Sequence, residues 1–277
     1  MQIKFFCPHW GHEHISKEIF AAKVIAAGYD GVEMVVATNK KEKSDWKKQF
    51  NEHQLLFIAQ VTAAGKDGGF EKHLKETTYY LENAMAMDPL KINSFTGRDY
   101  FAFEQNMEII QMNLTAASTL GIPLVHEIHR GRFSFSAATM KHYLNACSTL
   151  RLNADFSHWC CVSESYLQEN ELLELMKETI SRSDHIHARV GYPQGPQVND
   201  PRAPEWNDAL NFHLTWWDEI VSMHYLKGTA LFTITPEFGP APYLNVLPYT
   251  QKPVADQWEV NVWMMDLLRK RYSKYTQ

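Results

Sequence analysis

His185-Ile186-His187-Ala188-Arg189-Val190 alternates polar and apolar side chains with a period of two. That period belongs to a β-strand whose two faces meet different surroundings. Three more runs share the pattern. Val125, Glu127 and His129 fall on one face of a preceding run, Asn153 and Asp155 on one face of the next, and Thr233, Thr235 and Glu237 on one face of a later one. The opposite faces carry Leu124 and Ile128, then Leu152, Ala154 and Phe156, then Ile186, Ala188 and Val190, then Phe232 and Ile234, with His126 the one exception. A parallel strand covered on both sides should be apolar on both. In a closed barrel the apolar face meets the surrounding helices, and the other face points inward.

Working outward from these runs, eight strands are predicted. They are Ile3–Cys7, Gly31–Val36, Leu55–Val61, Leu90–Phe95, Pro123–Ile128, Arg151–Phe156, His185–Val190 and Leu231–Glu237. Helical patterns follow them near Ile15–Ala27, Lys41–His53, Phe70–Met87, Phe103–Leu120, Ala137–Thr149, Tyr166–Ser183, Asp208–Leu226 and Val254–Tyr272. Leu167, Leu172, Leu175, Met176 and Ile180 recur at three- and four-residue steps. Ala27-Gly28-Tyr29-Asp30-Gly31 and Leu120-Gly121-Ile122-Pro123 are helix stops leading straight into strands. Eight strand–helix units predict a single (β/α)₈ barrel domain over residues 1–277, with a doubly wound sheet as the alternative. One long irregular stretch, Gly191 to Asn207, follows the seventh strand, and a loop of that length inside a domain is expected to be functional, as a lid for example.

The 277 residues are 45% hydrophobic and carry 27 Lys+Arg against 32 Asp+Glu, a net charge of −5. That composition supports a substantial core and gives no overall attraction to nucleic acid or to an anionic membrane. The first seven residues lack the long apolar run of a signal peptide, and no segment reaches the ~18–20 apolar residues needed to span a bilayer. Cys7, Cys147, Cys160 and Cys161 contain no C-x-x-C pair. A soluble protein in a reducing, cytoplasmic setting is expected.

The inward polar residues gather toward the C-terminal ends of their strands, where barrel active sites are built. Glu127, Asp155, His187 and Glu237 converging there would repel one another and lose hydration unless a cation neutralised them. This oxygen and nitrogen donor set, without sulfur, suits one divalent ion: Mn²⁺, Mg²⁺, Co²⁺ or Zn²⁺.

Several motifs then become familiar. Ala26-Ala27-Gly28-Tyr29-Asp30-Gly31-Val32-Glu33 resembles the second-strand signature of the xylose isomerase-like TIM-barrel superfamily, which holds sugar isomerases, sugar 3-epimerases, inosose dehydratases and nucleases of the endonuclease-four type. His126-Glu127-Ile128-His129-Arg130, Asp155-Phe156-Ser157-His158, His185-Ile186-His187-Ala188-Arg189 and Thr235-Pro236-Glu237-Phe238-Gly239-Pro240 are similar, in chain order, to its Glu, Asp-x-x-His, His-x-His and Glu-x-Gly-Pro elements. The resemblance spans nearly the whole chain. It implies one metal on Glu127, Asp155, His187 and Glu237, with Glu127 and Glu237 also acting as the acid/base pair on an open-chain sugar. It implies substrate-oxygen contacts at His158 and Arg189, whose alternative is support for Asp155 and a rim salt bridge. Glu33 would orient substrate or hold a side chain of the first strand.

His9, in Pro8-His9-Trp10-Gly11-His12 after the first strand, is a candidate substrate-lining residue beside an aromatic platform. His129, Arg130 and Arg132 could hold a carboxylate or phosphate on the substrate, or offset local negative charge, and no Gly-rich loop supports a phosphate.

The nuclease branch would need further metal-binding histidines. The third strand ends Gln60-Val61-Thr62, the fourth reads Asn93-Ser94-Phe95-Thr96-Gly97, and Asp200-Pro201-Arg202 has Arg where a histidine is required. With the acidic charge, this disfavours nucleic acid as a partner. A metal-dependent sugar isomerase or epimerase is expected, with a small sugar or polyol as partner. An inosose-type dehydratase is the main alternative, and a non-catalytic sugar- or metal-binding barrel a lesser one. Trp216, Trp217, Trp258 and Trp263 suit either a homo-oligomer interface or helix-on-barrel packing.

Overall fold

The computed structural model of the protein describes residues 1–63 and 68–276. Its eight strands are all parallel and close into a barrel in chain order. They are β1 (Gln2–Pro8), β2 (Gly31–Val35), β3 (Leu56–Thr62), β4 (Lys91–Phe95), β5 (Leu124–Glu127), β6 (Leu152–Ala154), β7 (Ser183–His187) and β8 (Leu231–Thr235). Closure comes from β8 pairing with β1, with Lys4 beside Thr233. The helices among the described residues are α1 (Lys17–Ala26), α2 (Lys40–His53), α3 (Gly69–Met85), α4 (Phe103–Leu120), α5 (Ala137–Ala146), α6 (Phe156–Val162), α7 (Asn170–Ser181), α8 (Asn207–Leu226) and α9 (Gln257–Arg271).

The alternation that predicts a barrel is realised atom by atom. Every apolar residue assigned above to an outward face of β5 to β8 and its extension belongs to one buried cluster with the helices. His126 also faces outward, fully buried, and is accommodated by a small polar network. Its Nδ1 lies 2.6 Å from Thr96 Oγ1, which donates to Ser94 Oγ at 2.9 Å, and Asn113 Nδ2 donates to that same oxygen at 3.0 Å. Burial alone lowers the His126 pKa to about 3, so the ring is neutral and the network holds no net charge.

Two boundaries differ from expectation for a local reason. β6 stops at Ala154 because Asp155 caps the short helix α6, its side chain accepting from Ser157 N at 3.2 Å. α7 begins at Asn170 and not at Tyr166, because Leu167 adopts a left-handed φ of 57° that a helix cannot contain. The Gly191–Asn207 stretch contains only a bridge between Tyr192 and Gly195 and a 3₁₀ turn at Pro204–Trp206. It is tied down: Gln197 Nε2 donates to Gly239 O at 3.1 Å and Gly239 N donates to Gln197 Oε1 at 2.7 Å. Trp216 and Trp217 are buried in the helix–barrel cluster, with Trp258 and Trp263 packed against it, so helix packing accounts for all four indoles. Among the described residues no helix is long and apolar enough to cross a membrane.

Candidate metal centre

Glu127 ends β5, Asp155 follows β6, His187 ends β7 and Glu237 lies two residues beyond β8. All four are buried, Glu237 being the most exposed at 3%. One donor atom from each lies within 4.8 Å of the others, so the structure brings the expected quartet together. His187 Nδ1 stands 2.8 Å from Glu237 Oε2 and 3.5 Å from Glu127 Oε2.

The floor beneath this quartet is Glu33, on β2. Its Oε1 accepts from His187 Nε2 at 2.9 Å, Asn93 Nδ2 at 3.0 Å and Gln60 Nε2 at 3.3 Å. Its Oε2 accepts from Thr235 Oγ1 at 2.5 Å and His185 Nε2 at 3.1 Å. With the Nε2 proton of His187 directed at Glu33, the network assigns the Nδ1 lone pair to the quartet. That lone pair meets two carboxylate oxygens without the alignment of a hydrogen bond, and Glu127 Oε1 is buried without any partner among the described residues. Asn93 Nδ2 fixes Glu127 Oε2 at 2.7 Å, and Gln60 Nε2 fixes Glu237 Oε1 at 3.0 Å. Lone pairs facing one another in a dry site are unfavourable unless a cation lies between them.

The electrostatics agree. Burial, reinforced by Glu237 and Asp155 and opposed by His187, pushes the Glu127 carboxyl well above the ordinary range. Burial also raises Asp155, against the charge of Arg189. Burial would depress His187, yet Glu237, Glu33 and Glu127 together hold it well above 6.5. Burial would raise Glu33, but His187 and His185 keep it well below 4.5. Left to itself, then, the cluster recruits protons. A divalent ion would replace them, and the oxygen and imidazole donors present fit one.

Asp155 is further held by Ser157 Oγ and by Arg189 Nη2, both in close hydrogen bonds. Arg189 Nη2 also donates to His158 Nε2 at 2.9 Å, and Nη1 lies 3.7 Å from Glu237 Oε2.

Above the cluster opens a cavity of about 230 Å³ with Glu127, Glu237, His129, Arg132, Arg189 and Trp10 on its walls. A groove of about 610 Å³ between α4 and α5 is larger but contains none of the quartet. Of the expected substrate contacts, Arg189 and His129 line the cavity. His158 stands behind them, fully buried, its ring 4.0 Å from that of His129. Glu33 lies below, with both oxygens occupied. His9 does not reach the cavity. It packs edge-on against Phe20 and Trp46, at 4.9 and 5.1 Å, because the chain after β1 turns its side chain toward α1 and α2. Its neighbour Trp10 faces the cavity instead, edge-on to Tyr243 at 5.1 Å and against Gly239, where an added Cβ would fall 2.1 Å from Trp10 Cη2.

Sequence reasoning passes over the roles of Gln60 and Asn93, whose signal is present as two paired polar residues on adjacent buried strands. It also misses Lys91, the first residue of β4. Its buried Nζ donates to Asp184 O at 2.6 Å and to Thr233 Oγ1 at 2.7 Å, and that hydroxyl stands 2.7 Å from His185 Nδ1.

No protein-family model matches the chain, and no curated protein matches it. Solved structures do. The probable 3-DHS dehydratase involved in petrobactin synthesis from Bacillus anthracis is 14% identical at a TM-score of 0.61, over 98% of this chain and 100% of that one. The 3-keto-D-glucoside 4-epimerase from E. coli, in its apo form, is 14% identical at 0.61 over 97% and 100%. A xylose isomerase-like TIM-barrel protein from Mycobacterium smegmatis, in complex with magnesium, is 10% identical at 0.59 over 96% and 97%. The shared feature at such identities is the fold, a closed parallel (β/α)₈ barrel.

Proposed function

From a barrel of the xylose isomerase-like fold, we propose a divalent-metal-dependent enzyme that moves a proton at a carbon beside the carbonyl of a small sugar or polyol. A sugar isomerase or epimerase is the form the site supports best. The observation that carries this reading is the buried meeting of Glu127, Asp155, Glu237 and His187, one donor atom of each within 4.8 Å of the others.

Glu127, Asp155, His187 and Glu237 would hold the ion. When bound, it supplies Lewis-acid stabilisation of negative charge on the carbonyl oxygen. The remaining work falls to the chain. Glu127 has one oxygen fixed by Asn93 and the other, Oε1, free of hydrogen bonds, so Oε1 is positioned to take or return a carbon-bound proton. Glu237 borders the same cavity, with Gln60 fixing its Oε1, and serves as the second proton-transfer group. Return to the same carbon from the other face gives an epimer, and return to the adjacent carbon gives an isomer. Arg189 pairs with Asp155, opposing the burial that raises its pKa, and closes the site beside Trp10 and Tyr243, its guanidinium 4.8 Å from the Tyr243 ring centre. The likeness to both an epimerase and a dehydratase supports a second reading with the same proton abstraction, followed by loss of a β-hydroxyl.

The test is a panel of ketoses, aldoses and inososes assayed in D₂O with Mn²⁺, Mg²⁺ and Co²⁺. Solvent deuterium at a substrate carbon is expected, with about one ion bound per chain. Glu237→Gln should lose most of its metal together with turnover. Unchanged metal content in that variant sinks the ligand assignment. Turnover without solvent exchange indicates a hydride shift and sinks the two-glutamate route.

A further inference from the structure

Arg132 is 7% exposed, borders the cavity, and has no carboxylate partner among the described residues. Its Nη2 donates to Thr62 Oγ1 at 3.1 Å and its Nη1 to Gly97 O at 3.4 Å, both neutral acceptors. The guanidinium lies over the Phe95 ring at 5.8 Å. The charged groups near it offer no neutralisation at contact: Glu127 and Asp99 act at longer range, and Arg98 repels it. The other basic groups on these walls are already engaged. Arg189 is paired with Asp155, and His129 directs Nδ1 at the Arg130 carbonyl, 2.5 Å away. A buried guanidinium without an anion is costly, and two neutral hydrogen bonds leave most of its five donors unused.

We propose that Arg132 is the docking point for a carboxylate on the substrate, so that this site acts on a sugar acid or polyol acid and not on a neutral sugar. The inference rests on the reading above, that the cavity receives a small polyhydroxylated carbonyl compound. Two coplanar carboxylate oxygens match the edge of the guanidinium with parallel hydrogen bonds. Thr62, Gly97 and Phe95 fix the plane of that edge before the ligand arrives, which limits the ordering needed on binding. The cavity, at about 230 Å³, is smaller than the ~300–1,000 Å³ of drug-sized sites and suits one sugar-sized molecule. Glu127 and Glu237 then face the carbonyl end while Arg132 holds the acid end.

Calorimetric titration of the Mn²⁺-loaded protein tests this with matched probes: D-glucuronate against D-glucose, D-galacturonate against D-galactose, and D-gluconate against D-glucitol, with D-glucose 6-phosphate as a further arm. At least one carboxylate should bind about tenfold more tightly than its neutral mate, the size of a single charge-assisted contact. Arg132→Gln should erase that preference while keeping its melting temperature and its Mn²⁺, and Arg132→Lys should restore only part of it. A panel with no carboxylate preference overturns the proposal, as does a preference that survives Arg132→Gln. A phosphate that outbinds D-glucuronate overturns the carboxylate assignment. Repeating the titrations on metal-stripped protein separates the two readings. Carboxylate preference in a wild-type protein that takes up no Mn²⁺ would sink the metal centre and leave Arg132 standing.

Discussion

Glu33 receives five hydrogen bonds from four other strands, yet its chief consequence is felt at one nitrogen. By accepting the Nε2 proton of His187 it turns Nδ1 toward the quartet as the atom open to a cation. Glu33→Gln keeps the size and most of the packing but offers an amide where an acceptor is needed. The fold should persist, and affinity for Mn²⁺ should fall by roughly 10- to 100-fold, as for other partners of ligating histidines. Titration with a metal indicator reads this directly, and an unchanged affinity would show that the His187 tautomer is set elsewhere. Here the limit of the sequence is physical. The four quartet residues are legible because charged groups interrupt apolar strands at a period of two. The role of Glu33 depends on histidines 152 and 154 residues away, which no local pattern reveals. His9 fails for the complementary reason. One residue decides whether histidine or tryptophan faces the cavity, and the turn after β1 selects Trp10.

Elements are positioned by equally specific contacts. Asn261 on α9 is 2% exposed and clasps the chain just beyond Glu237, its Oδ1 accepting from Phe238 N at 2.8 Å and its Nδ2 donating to Phe238 O at 2.9 Å. Asn261→Ala leaves Phe238 N unpaired and Phe238 O with Gln257 Nε2, at 2.9 Å, as its remaining donor. A loss of about 1–3 kcal/mol is expected in denaturant unfolding, with weaker metal binding because Glu237 loses its anchor. A stability within error of the wild type would mean that water replaces the amide. At this scale the barrel units are legible, from apolar periods along the chain and from glycine stops at Gly28 and Gly121. The end of β6 is not, because Asp155 reads equally well as a strand residue and as the cap of α6. The structure chooses the cap, and the same choice turns its carboxylate toward Arg189 and His187.

Across the whole molecule, the barrel interior sets apolar side chains beside a polar column. Phe6, Ile58 and Val125 are buried apart from the helix-facing cluster, while Lys91, His185, Thr233 and Glu33 form a connected column under the Glu127–Asp155–His187–Glu237 quartet. Burial, moderated by Asp184 and Glu33, lowers the Lys91 pKa from 10.5 to about 8. Between those values the unfolded chain binds the proton more tightly than the folded one, so this group's contribution to stability rises with pH. Above 10.5 that contribution is complete, and it is lost as pH falls through about 8. Unfolding free energies measured across this range should climb in the wild type and flatten in Lys91→Met. Parallel curves would show that Lys91 titrates normally.

The contact between Gly239 and Trp10 has a consequence for how such a site can change. At Gly31 the nearest obstacle to a side chain is strand backbone, Leu56 O at 2.4 Å, so replacement there strains the barrel itself. At Gly239 the crowding atoms belong to an indole on the cavity wall. A larger residue would be accommodated by pushing that wall inward, leaving the strands in place. Drift at position 239 would therefore alter which molecules are admitted before it altered whether the chain folds, and a change of diet could precede any loss of architecture.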